Sequence, residues 1–134
     1  MRDLHNSIKV SPALNPAAIS SNTTTNGAII DLKDFDSIEF LIQSGALADG
    51  TYTPSITVGD ESDLSDGTAA SGTDLLGTVA DATFAATDDN KVKKIGYVGI
   101  KRYARLSIAS TGVTTGGTLG AIVVQGSPRH ADSV

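Results

Sequence analysis

No cysteine occurs in the 134 residues, so neither a disulfide nor a thiolate-bound metal can hold this fold. Tryptophan is also missing, and three Phe and three Tyr make up an aromatic content of only 4%. The core must therefore be built from Ile, Val, Leu and Ala, and few rings are left to stack on a sugar. No apolar run approaches the ~20 residues that span a bilayer. The opening stretch, MRDLHNSIKV, lacks the apolar segment of ~7–15 residues that marks a signal peptide. These absences predict a soluble, single-domain chain made in a cytoplasm without an export signal. Membrane and cofactor-dependent functions are not expected.

Basic charge is scarce over a long interval. Between Lys33 and Lys91 there is no Lys or Arg, while twelve acids fall there, from Asp34 to Asp89. From Lys91 to Arg105 the pattern reverses: Lys91, Lys93, Lys94, Lys101, Arg102 and Arg105, with no acid. A net charge of −5 argues against sequence-independent nucleic-acid binding, which needs a basic surface. The two blocks either neutralise each other within one molecule or face complementary patches on other subunits.

What the chain does have is glycine, fourteen of them, with abundant Thr, Ser, Asp and Asn, which points to a turn-rich all-β fold. The densest alternating stretch is GYVGIKRYARLSI, residues 96–108, where Ala104, Leu106 and Ile108 point one way and Tyr103, Arg105 and Ser107 the other. That period of two marks a strand with one face on a core. Gly96 and Gly99 suggest a bulge or a close backbone approach beside Tyr97 and Val98. Similar alternation predicts strands over 27–32, 37–43 and 52–58, the last at an edge because Pro54 cannot donate to a ladder. Asp49-Gly50 and Asp88-Asp89-Asn90 read as turns, and the run AIVV in 119–124 reads as a strand covered on both faces. Seven or eight short strands at this spacing predict a β-sandwich or jelly roll. Residues 1–24, with Ser11-Pro12, Asn15-Pro16 and SSNTTT, read as an extended N-terminal arm whose pieces 8–10 and 17–19 pair as edge strands or lie along a neighbour. The sandwich then occupies 25–126 and a polar tail 127–134.

Few residues carry chemistry. Asp60, Glu61, Asp63 and Asp66 form an acidic loop of the kind that can hold calcium, but no glutamate closes it at the twelfth position of an EF-hand. His5 and His130 sit at opposite ends, and Ser127, His130 and Asp132 have triad residue types with nothing to orient them. No metal site and no catalytic residue is assigned. Lys101, Arg102, Tyr103 and Arg105 are different, because arginine and tyrosine are enriched where proteins bind one another.

With GYVGIKRYARLSI followed by TTGGTLGAIVVQGSPRH, the chain resembles small structural proteins of tailed-bacteriophage heads. The matching residues are Gly96, Tyr97, Gly99, Lys101, Arg102, Tyr103 and Arg105, then Thr114, Thr115, Gly116, Ala121, Val123, Val124, Gly126, Pro128 and Arg129. The resemblance implies a non-enzymatic virion protein on the phage head surface. Its role would be capsid decoration, binding the major capsid protein and stabilising the shell as a homo-oligomer, a dimer or trimer. Contacts are expected from Arg102, Tyr103, Arg105 and Arg129, with Ile8, Val10 and Leu14 of the arm. A head–tail adaptor is the alternative within that class, and a cation- or carbohydrate-binding sandwich is a more distant one.

Overall fold

The computed structural model describes residues 3–128, with side chains to 126. Ten strands form among these residues: β1 (Ile8–Ile19), β2 (Thr24–Asp31), β3 (Phe35–Leu47), β4 (Thr51–Gly59), β5 (Thr68–Ala69), β6 (Leu75–Leu76), β7 (Phe84–Ala85), β8 (Val92–Tyr97), β9 (Tyr103–Thr111) and β10 (Gly117–Pro128). One helical turn, α1 (Val79–Ala82), lies between β6 and β7, capped by the Thr78 hydroxyl accepting from the Asp81 N–H.

The first sheet has the order β1-β10-β3-β8-β6 and the second β2-β9-β4-β5, with β7 on the outer side of β4. Every pairing is antiparallel. The long strands β1 to β4 and β8 to β10 alternate between the two sheets along the chain, which is the jelly-roll arrangement of interlocked Greek keys. The all-β sandwich expected from the strand spacing is therefore present, and its connectivity is that of a jelly roll.

The inward residues are the ones the alternation picks out. Phe40 and Ile42 of β3, Ile95 of β8, Leu106 and Ile108 of β9 and Val123 of β10 are wholly buried between the sheets. With so few aromatics, three of the rings are spent here: Phe40, Tyr52 and Phe84 have no exposed surface. Pro54 sits as its chemistry requires. On its outer side β4 is paired only at Thr51–Tyr52 by β7 and at Thr57–Val58 by β5, so no ladder partner seeks the missing N–H.

Two expectations change. The stretch 96–108 is not one strand: β8 ends at Tyr97 in the first sheet, and β9 starts at Tyr103 in the second, with 98–102 crossing between them. The glycine is placed for that crossing, since a Cβ on Gly99 would run into the Tyr97 ring. Of the two arrangements open to the arm, the structure has pairing as an edge strand, and that strand is continuous over Ile8–Ile19 where only 8–10 and 17–19 were expected to pair. It pairs with β10 from Ile8↔Gly126 to Ile19↔Gly117, with register shifts around Leu14. Pro12 and Pro16 mislead a local reading because both remove donors; at the edge of a sheet that loss is tolerated, and it discourages further pairing. Ala13, Leu14 and Ile19 are core residues.

Candidate protein-binding surfaces

The crossing from β8 to β9 places the sequence-predicted cluster at one corner of the second sheet. Arg102 closes the crossing loop and grips Asp31 at the end of β2 with two hydrogen bonds, Nε to Oδ1 and Nη2 to Oδ2, both 3.0 Å. The same guanidinium lies 5.1 Å from the centre of the Tyr103 ring. Hydrogen bonding from Arg102 holds the Asp31 carboxyl below its ordinary range, against the opposing effect of partial burial. Asp31 escapes sequence reasoning as part of this cluster because 71 residues separate it from Arg102.

Tyr103 and Arg105 alternate outward on β9, both half-buried. Arg105 lies between Ile29 of β2 and Thr57 of β4. Its Nε is shielded from solvent and has no hydrogen-bond partner among the described residues. The surrounding outer face is rich in hydroxyls, with Thr51, Thr53, Ser55 and Thr57 from β4. Lys101, beside this corner, reaches Asp60 at 3.0 Å, and Ile100 in the crossing loop is 96% exposed.

The acidic and basic blocks meet within the molecule. Besides Lys101–Asp60 and Arg102–Asp31, Lys91 and Lys93 both reach Asp88 at 3.2 Å. Those two lysines and the Ala85 N–H, the last having the largest effect, bring the Asp88 carboxyl down to about 2. In the acidic loop, Asp66 accepts from the N–H groups of Asp60 and Glu61, and Asp63 from that of Ser65. These carboxylates serve as turn caps. Among the described residues no three Asp, Glu, His or Cys side chains gather as a metal site.

Of the expected arm contacts, Val10 is 53% exposed and Ile8 half-buried. Leu14 is a correction: it is buried against its own core, because the register shift beside it turns it inward opposite Ala121. Arg129 lies outside the described residues, as do His130 and Asp132.

The outer face of the first sheet is only partly covered. On that face Val10 and Pro12 of β1, Ile122 and Val124 of β10, Leu41 of β3 and Val92 of β8 fall on adjoining rows. Pro12, Ile122 and Leu41 are direct neighbours across three strands. The AIVV run, expected to be covered on both faces, is covered on one: Ala121 and Val123 face the core, while Ile122 is 43% exposed.

No protein-family model matches the chain, and no curated protein sequence matches it. Solved structures do resemble it. The PBSX exported protein XepA superposes with a TM-score of 0.55 at 15% identity, over 88% of this chain and 37% of that one. This chain thus spans little more than a third of XepA, and the likeness is one of fold. Looser likenesses, on which nothing rests, are the SPBc2 prophage-derived protein YomS (TM-score 0.46, 15% identity, 87% of this chain and 94% of that one) and the VP2 subviral particle of infectious bursal disease virus (0.49, 14%, 88% and 32%). In fold, the chain is a jelly roll of the kind found within XepA.

Proposed function

We propose that this protein is a non-enzymatic component of a tailed-phage virion, a decoration protein that binds the major capsid protein on the head surface. The observation that carries the reading is the β8–β9 crossing. Part of the stretch through which the sequence resembles phage-head proteins, residues 99–105, crosses between the sheets and presents Arg102, Tyr103 and Arg105 at one surface corner. Within it Tyr103 and Arg105 are half-buried side chains on the outer face, and partly desolvated tyrosine and arginine are the residues that most often anchor protein contacts. Arg102 is already held by Asp31, so its part is to orient the Tyr103 ring. Ile8 and Val10 extend the contact along β1, and many copies on a lattice multiply a weak individual contact.

The test is cosedimentation of the purified protein with heads of its own particle, stripped of this component. Saturable binding that Arg105→Glu and Tyr103→Ala weaken, with melting temperatures unchanged, supports the reading. Absence of binding to heads, or binding confined to the neck in particle images, overturns it.

A further inference from the structure

Ile100, in the crossing from β8 to β9, is 96% exposed, a whole isoleucine side chain standing in water. The next most exposed large apolar side chain among the described residues, Val92, reaches 61%. A lone isoleucine on a loose loop would call for no explanation. This loop is not loose. The Val98 N–H donates to the Asp74 carbonyl at 2.7 Å, and the Leu32 N–H to the Arg102 carbonyl at 2.8 Å. The Lys101 N–H donates to the Tyr97 hydroxyl at 3.2 Å. Lys101 and Arg102 are tied again through their side chains, to Asp60 and Asp31. Gly99 runs so close over the Tyr97 ring that a Cβ there would overlap it. Of residues 98 to 102, Ile100 alone has no such tie among the described residues.

Beside the loop lies a groove of about 400 Å³, bounded by the β2–β3 turn and floored by Phe35, Ile38 and Tyr97. Apolar burial would draw Ile100 down into it. The ties on either side hold it out instead.

We infer that Ile100 is a preformed anchor, which inserts into an apolar pocket of the protein that docks on the Arg102, Tyr103 and Arg105 corner. The inference rests on the proposed head binding, so that protein is the major capsid protein. Position supports it: Ile100 lies two residues before Arg102 and three before Tyr103, and whatever covers the corner covers Ile100. Charge supports it too. The neighbouring cations are already matched, Lys101 by Asp60 and Arg102 by Asp31, so the surface opposite Ile100 needs no counter-charge. An apolar centre with a polar rim is the usual anatomy of a protein contact. Rigidity adds to the effect, because a loop already held in place loses little freedom on binding. Ile100 is not among the residues that carry the resemblance to phage-head proteins, so the resemblance gives it no role.

Cosedimentation with stripped heads over a concentration series, well below every variant's melting temperature, tests this. Ile100→Ser is expected to raise Kd by about 10- to 100-fold, the value of burying one isoleucine. Its Tm should match the wild type, since the side chain contributes nothing to the isolated fold. Val92→Ser, at the far end of β8, is expected to leave Kd unchanged. Tyr97→Phe removes the acceptor of the Lys101 N–H and frees the loop. It should weaken binding when Ile100 is present and add nothing once Ile100→Ser is in place. Wild-type binding that Ile100→Ser leaves intact overturns the anchor while the decoration role stands, and an equal loss with Val92→Ser overturns it as well. Heads that do not bind the wild type overturn both. A change in the sedimentation of the isolated protein on Ile100→Ser would give the anchor to a second copy and overturn its assignment to the capsid.

Discussion

Gln125 of β10 donates its Nε2 to the main-chain carbonyl of Asp31 at 3.0 Å, spanning the gap between the two sheets. The side chain is 2% exposed, a polar group in the core that is satisfied by a specific partner. The carboxylate of the same Asp31 is held by Arg102. One residue at the end of β2 therefore ties the core to the candidate binding corner. Replacing Gln125 by Leu would leave that carbonyl without its buried donor, at an expected cost of about 1–3 kcal/mol in urea unfolding.

Leu14 separates a sheet strand from a docking arm. As a core residue, Leu14→Ala is expected to destabilise the isolated protein by about 2–5 kcal/mol. An arm residue would leave the melting curve unmoved and alter only binding. Denaturant titration of the purified variant decides between the two.

Gly116 sits at φ +89°, and a Cβ there would strike the Ile19 carbonyl. Its N–H, with those of Thr114 and Thr115, donates to the Asp49 carboxylate. Gly116→Ala should therefore both strain the backbone and push β10 away from the end of β1, costing well over ~1 kcal/mol. Asp49→Ala should lower Tm by several degrees, since three N–H groups lose their acceptor together. A Gly116→Ala protein as stable as the wild type would contradict this geometry.

Acid should unfold the protein over a defined range. The Asp49 carboxyl is lowered by the Thr115, Gly116 and Thr114 N–H groups, Asp66 chiefly by the Asp60 N–H, and Asp88 reaches about 2. A carboxylate with a folded pKa below its unfolded value binds fewer protons when folded, so stability is full above the ordinary aspartate value and falls as pH drops. For Asp88 the window runs from 3.8 down to about 2. Asp88→Asn should flatten the loss of Tm across that window, and an unchanged slope would show that Asp88 contributes nothing.

The Arg102–Asp31 pair is exposed on both sides, 48% and 44%, so its geometry outruns its energy. A double-mutant cycle with Arg102→Ala and Asp31→Ala is expected to give a coupling of about 0.2–1 kcal/mol that weakens with salt. A larger coupling would mean that the pair props up the corner.

Much of this was legible in the residues. The alternation of Ala104, Leu106 and Ile108, of Ile38, Phe40 and Ile42, and the donor lost at Pro54 each follow from the period of two and from proline chemistry. They determine an all-β chain with a mainly aliphatic core whatever its topology. The tertiary structure decided matters that depend on residues far apart in the chain. Residues 8–19 became a strand because β10, about a hundred positions away, supplies their partners. Residues 96–108 split because their two halves find partners in different sheets. Arg102 was claimed by Asp31, and the second face of AIVV was left open, because local pattern says which side chains seek cover while only the assembled sheets say which have found it.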